Sequence, residues 1–291
     1  MWLILGGEGQ LGLSLQLILS QANIPHHVVG RGVLDICNGD ACIQVIKELK
    51  PSVVVNCAAW TAVDLAEDHE EEAFNVNCAG ARNVAIACRE ANATLVHIST
   101  DYVFSGVSDT PYETDSPVAP TSAYGRSKLC GEQAVHQELP ERSYIFRTAW
   151  LYSQFRGNFV KTMVRKALTN SPVRVVSDQL GQPTVATDLA QHIIHIVESK
   201  AQYGIFHGTN SGQASWYELT QEIYAFLKVD TLLVTPVPTA EYRTRAVRPQ
   251  YSVLSHNHTT DVGLQEMTDW KTALMNALPI IKQHILKEEQ Q

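Results

Sequence analysis

A chain of 291 residues with 45% hydrophobic and 18% charged side chains has an ordinary globular composition and room for one large domain or two modest ones. A formal net charge of -8 and a pI near 5.7 argue against nonspecific nucleic-acid binding and against docking on an anionic membrane. No apolar run reaches the roughly 18 residues of a membrane span, and the N-terminus lacks the layout of a secretion signal, so a cytoplasmic protein without membrane association is expected. Cys37, Cys42, Cys57, Cys78, Cys88 and Cys130 show neither CxxC nor zinc-like spacing, and reduced, structural thiols are expected.

The opening "WLILG" predicts a buried strand, followed by a helix over about residues 10 to 22. Between them "GGEGQLG" spaces Gly6, Gly9 and Gly12 as G-x-x-G-x-x-G, with Gln10 and Leu11 inside the last interval. Such a turn lets backbone N–H groups approach a pyrophosphate at a helix N-terminus, so these five residues are candidate cofactor contacts. "HHVVG" predicts the second strand. At its end stands Arg31, where an acidic residue would read the ribose hydroxyls of NAD. An Arg suits a 2′-phosphate instead, which favours NADPH over NADH. Asp35 and Ile36 follow and are placed against the adenine.

"DACIQVIKELK" predicts a helix ended by Pro51, and "SVVVNCA" a third strand whose end, with Ala58, Ala59 and then Trp60, leaves room for cofactor. "EDHEEEAFNVNCAGARNVAIACREAN" predicts one long helical stretch with a solvated acidic start. "TLVHIST" is the fourth strand, delivering Thr100, Asp101 and Tyr102 to the carboxyl edge of the sheet, where open parallel sheets bind ligands. The helix "SAYGRSKLCGEQAV" then places Tyr124 and Lys128 one turn apart on one face. A phenol with a pKa near 10 is a poor proton carrier at neutral pH, and a neighbouring ammonium is expected to lower it. "SYIFRTAW" is the fifth strand.

The second half is less regular. "NFVKTMVRKAL" predicts a helix, "VRVVSDQLGQPT" a strand running into a loop, and "TDLAQHIIHIVES" a helix capped by Thr187. Ser215 and Glu218 form a capping box before "YELTQEIYAFL", and "DWKTALMNALPIIKQHIL" predicts a last amphipathic helix. Strands that are nearly all apolar and alternate with helices give an α/β fold, a Rossmann-type doubly wound parallel sheet with a smaller mixed α/β substrate-binding lobe. The dinucleotide-binding domain is assigned to 1–150, with a return of the chain at about 185–200, and the second lobe to most of 151–291.

In their order, "GGEGQLG", "NCAAWTAVDLAE", "STDYVFSG", "YETDSPVAPTSAYGRSKLCGE", "RTAWLYSQFRGNFVKTM", "VVSDQLGQPT", "SWYELTQEI" and "RPQYSVL" resemble the extended short-chain dehydrogenase/reductase superfamily and, within it, the dTDP-4-dehydrorhamnose reductases. The resemblance implies reduction of a nucleotide-linked keto-sugar by NADPH. In it Tyr124 protonates the C4 oxygen, Lys128 holds the nicotinamide ribose and depresses the Tyr124 pKa, and Thr100 orients the carbonyl. It further implies substrate contacts from Asp101, Tyr102 and Trp150, the last offering a ring face, with Asn158, Gln179 and Arg248 as further candidates. Some members use magnesium between subunits of a homodimer, but no residue here assigns such a site. Trp60, Ala149 and Tyr251 depart from the family pattern.

Other constellations carry less. His256 and His258 in "HNH" lack a third ligand, and no metal is assigned. His97 alternates within an apolar strand and reads as a satisfied core residue. Ser99 beside Asp101 has no nucleophile elbow. Two alternatives share the scaffold: a sugar-nucleotide epimerase or dehydratase, which retains its cofactor, and a silent NADP-binding regulatory subunit resembling the beta subunit of methionine adenosyltransferase. Intact Thr100, Tyr124, Lys128 and "DQLGQPT" argue against the second.

Overall fold

The computed structural model describes residues 1–290. Its first half runs β1 (Trp2–Leu5), α1 (Gln10–Gln21), β2 (His26–Val29), α2 (Gly39–Leu49), β3 (Val53–Asn56), α3 (Val63–Ala66), α4 (Glu70–Phe74), α5 (Ala81–Glu90), β4 (Thr94–Thr100), α6 (Ala123–Glu138) and β5 (Ser143–Thr148). The second half continues with β6 (Leu151–Tyr152), α7 (Phe159–Leu168), β7 (Val173–Val176), β8 (Leu180–Gly181), β9 (Thr184–Val185), α8 (Ala186–Glu198), β10 (Gly204–His207), β11 (Ala214–Ser215), α9 (Trp216–Phe226), β12 (Val234–Val237), α10 (Asn257–Asp261) and α11 (Trp270–Glu288).

Six strands form one sheet in the order β10-β5-β4-β3-β1-β2, every pair parallel. The order reverses beside β1, so β1 and β3 diverge into helices on opposite faces and leave a crevice at their carboxyl ends. β1 and β3 are buried along their whole length, which is why their sequences are nearly unbroken apolar runs; β5 is equally buried but carries Ser143, Arg147 and Thr148. One core layer packs β1, β3 and β4 against α2 and α5; the opposite layer packs them against α1 and α8. A third core joins α7, α9 and α11 to the small sheet of β7 and β12. The sequence puts the chain's return to the large sheet at about 185–200; here α8 and β10 together carry it to His207.

Three local expectations need correction. The stretch 67–92 is not one helix: a six-residue π-helical turn, Asn75–Gly80, separates α4 from α5. Thr187 does not cap α8, because the helix opens at Ala186 with Val185 as its N-cap. The cysteines are not all reduced. Cys78 in the π turn and Cys130 on α6 form a disulfide with Cα atoms 5.2 Å apart. The cause is close packing: a Cβ at Gly131 would run into the Asn77 carbonyl oxygen, so the glycine lets the π turn settle directly on α6.

Candidate active site

Two cavities flank the crevice at β1 and β3. The smaller, about 260 Å³, is lined by Gly6, Gly9, Arg31, Asp35, Ile36, Ala58, Ala59 and Trp60, which brings together the residues assigned to the adenosine end of a cofactor. Arg31 lies at its rim, with its side chain 81% exposed, and meets Asp35 Oδ2 at 3.5 Å. The Asp35 carboxyl is held below its ordinary value, first by the Cys37 backbone N–H and then by Arg31. The larger cavity, about 600 Å³, is lined by Gly9, Gln10, Leu11, Gly12, Thr100, Asp101, Tyr102, Tyr124, Lys128 and Trp150.

The glycine turn is built for close approach. Gly6 has φ +69°, and a Cβ there would stand 2.6 Å from the Ala58 nitrogen. At Gly12 it would stand 2.6 Å from Gly7 Cα. Gly9 is the N-cap of α1, with no side-chain cap and no acidic residue in the first turn. No side chain within that turn competes for its N–H groups, an arrangement that fits a pyrophosphate. The Gln10 side chain is used within the fold: its Oε1 accepts from Ser153 Oγ and Asn158 Nδ2.

The proton-handling groups converge at the end of β4. Thr100 Oγ1 accepts the Tyr102 N–H at 3.2 Å and donates to Asp101 Oδ1 at 2.9 Å. Asp101 is 2% exposed and its Oδ2 makes no hydrogen bond of ordinary geometry. Burial pushes its carboxyl up to about 6, against the opposing influence of Ser252 and Thr100. Tyr124 meets Tyr102 edge to face, with centroids 5.6 Å apart. Its pKa is raised by burial, and Thr100 draws it part of the way back. This corrects the expectation that Lys128 would depress it. Lys128 is 2% exposed and donates to the Ile98 carbonyl at 2.5 Å, and burial pushes it down to about 8. His97 is a core residue but only half satisfied. Its Nδ1 faces Asn56 at 3.4 Å, while Nε2 has no partner.

A third cavity of about 530 Å³ adjoins the second and holds the predicted Gln179 and Arg248. Val63, Tyr102, Trp150 and Trp216 line both and form their common wall. Gln179 Nε2 donates to Thr239 Oγ1 at 3.0 Å. Arg248 Nη2 donates to Asp64 Oδ2 at 2.5 Å, and its Nη1 is buried without a partner.

One substrate expectation changes. Asn158 lines none of these cavities; it caps α7 by accepting the Lys161 N–H at 2.9 Å, the ordinary work of an Asn at a helix start. Trp150 lines the larger cavity, and Trp216 stacks on one face of its ring at 3.6 Å. Sequence reasoning missed Trp216, Arg156 and Asp64. Trp216 directly follows the Ser215 cap, so the capping box was a usable signal for its position. Arg156 donates to the Glu8 carbonyl at 2.7 Å beside the glycine turn, a contact no local pattern announces. Trp60 borders the smaller cavity and Ala149 the larger. Among the described residues no three His, Cys, Asp or Glu side chains converge to hold a metal ion.

The family model described as RmlD substrate binding domain matches residues 1–282. A dTDP-4-keto-6-deoxy-D-glucose reductase of Streptomyces niveus is 42% identical over 96% of this chain and 97% of its own. A dTDP-4-dehydrorhamnose reductase of Streptomyces griseus is 41% identical over 96% of this chain and 93% of its own. Among solved structures, a dTDP-4-dehydrorhamnose reductase of Bacillus anthracis in complex with NADP superposes with a TM-score of 0.91 at 38% identity, over 95% of this chain and 97% of that one.

Proposed function

This chain belongs to the RmlD substrate-binding-domain family, and from that membership we propose that it reduces the C4 ketone of dTDP-4-dehydro-L-rhamnose to dTDP-L-rhamnose with NADPH. The observation that carries the reading is the meeting of Thr100, Tyr124 and Lys128 in one cavity with the open N-terminus of α1.

Bound NADPH supplies the hydride. The turn of Gly6, Gly9, Gln10, Leu11 and Gly12 holds the pyrophosphate, Arg31 takes the 2′-phosphate, and Asp35, Ile36, Ala58, Ala59 and Trp60 border the adenosine. Lys128 holds the nicotinamide ribose. Thr100 orients the ketone, and Tyr124 gives its proton to the C4 oxygen. A phenol made weaker by burial keeps its proton at neutral pH, and the alkoxide that forms as hydride arrives is basic enough to take it. Asp101 and Tyr102 contact the sugar. Gln179 and Arg248 line the diphosphate and base end, where a guanidinium can bind two oxygens at once.

The test follows absorbance of the reduced nicotinamide after adding dTDP-4-dehydro-L-rhamnose, with NADPH and NADH in parallel and Tyr124→Phe as control. Substrate-dependent oxidation, faster with NADPH and largely lost in the variant, is the expected result. NADPH that binds but is never oxidised would overturn the reading.

A further inference from the structure

Tyr124, Lys128 and Glu132 follow one another at four-residue spacing along α6, which places them on one face of the helix. That face is fastened to the sheet at two adjacent points. Lys128 Nζ donates to the Ile98 carbonyl on β4 at 2.5 Å. Glu132 receives Arg147 of β5 through two bonds, Nε to Oε1 at 3.0 Å and Nη2 to Oε2 at 2.8 Å. Arg147 lies opposite Ser99, the residue after Ile98, so the fastenings are neighbours across β4 and β5.

The Arg147–Glu132 pair is enclosed, with side chains 3% and 4% exposed. Arg147 also donates to the Thr114 carbonyl at 2.9 Å and sits 4.9 Å over the Phe104 ring. Stability is a weak account of such a pair, since well-packed apolar residues often serve as well or better. Its position below the catalytic stripe gives a stronger one.

We propose that Glu132 is a positioning residue for the reduction: its carboxylate, fixed by Arg147, is the counter-charge that keeps Lys128 an ammonium. The surroundings of Lys128 provide no comparable anion. Cys57 beyond β3 is held as a thiol by burial, and His97 on β4 is held neutral. Asp101 past β4 is an anion above about pH 6, but its Oδ1 accepts from Thr100, and it is not among the groups that support the Lys128 charge. Tyr124 on the same helix is a protonated phenol, and Arg147 on β5 is a cation already engaged. Burial works against the Lys128 charge, and Glu132 works for it. Loss of that charge would leave a neutral amine, a weaker donor to both the Ile98 carbonyl and the cofactor ribose.

The inference rests on Tyr124 and Lys128 being the catalytic pair, and its test is separable from that reading. In protein with labelled lysine and no cofactor, the Lys128 Nζ titration is followed by NMR. Glu132→Gln keeps the volume and a carbonyl for Arg147, and is expected to move that titration down by roughly one pH unit. The alkaline limb of kcat/KM should move with it. A lowered Tm with an unmoved titration would make the pair merely structural and overturn the proposal. If Glu132→Gln does not fold, the double variant with Arg147→Met removes the Arg147 charge that would otherwise be left buried without its carboxylate, and the same criterion applies to it. Wild-type protein that never oxidises NADPH would sink the reductase reading alone, because the titration still reports on Glu132.

Discussion

The indole rings of Trp150 and Trp216 lie 3.6 Å apart and within 9° of parallel, one from the loop after β5 and the other from the first turn of α9. Trp150 holds a left-handed backbone, φ 44°, which for a bulky residue persists only where neighbours enforce it. Removing the stack with Trp216→Ala forfeits about 0.5–1.5 kcal/mol beyond the lost burial. Steady-state kinetics should show KM for the nucleotide sugar rising about tenfold while kcat changes little, and Trp216→Phe should recover most of the loss. An unchanged KM would remove the aromatic wall from substrate recognition.

Tyr124→Phe should lower kcat by about 10²- to 10⁴-fold, the ordinary contribution of a positioned proton donor. NADPH binding, read by nicotinamide fluorescence, should stay near the wild-type value. A variant that keeps most of its turnover would pass the donor role to another group.

Arg248 lines the third cavity and is paired with Asp64, and its Nη1 has no partner. Calorimetry with dTDP should show Arg248→Ala binding weaker by about 1.5–3 kcal/mol, the usual worth of a charged hydrogen bond. Equal affinity in the variant would place the diphosphate elsewhere.

Asp101 makes folding depend on pH. Its folded value of about 6 lies above the ordinary 3.8, so the native state binds the extra proton. The penalty is absent below pH 3.8, grows as pH rises, and is complete above about 6. Its size is of order 2–3 kcal/mol. Asp101→Asn should therefore be more stable than wild type in urea at pH 7.5, with the difference vanishing near pH 4. A difference that does not vary with pH would assign the effect to packing.

The Cys78–Cys130 bond closes a separation of 52 residues. Constraint of the unfolded chain over such a loop is worth about 4 kcal/mol at most. Thermal unfolding with reductant should show a lower Tm, and Cys130→Ser should melt at the reduced value whether or not reductant is present.

What could be read from the sequence was local. The glycine turn, the Tyr124–Lys128 spacing and the Ser215 capping box each occupy one helical turn or one strand end, and each stands where its spacing put it. What escaped depends on segments meeting in space. Cys78 and Cys130 pair because Gly131 admits a π turn that helical periodicity does not announce. Asn158 was drawn into the substrate set by its motif, but its side chain caps α7. The spacing of Lys128 from Tyr124 was legible in the same way, but its bond to the Ile98 carbonyl was not, because only the packing of α6 on β4 supplies that partner.

The wall of Val63, Tyr102, Trp150 and Trp216 has a consequence for divergence. On the proposed reading one partition faces both the reacting centre and the diphosphate and base end, so a substitution that enlarges the third cavity for a bulkier nucleotide sugar also reshapes the seat of the reducing ring. Selection on the two preferences is then not independent. Variants selected for a new sugar should drift in cofactor affinity as well, and second changes restoring it are expected on the opposite side of the same four residues.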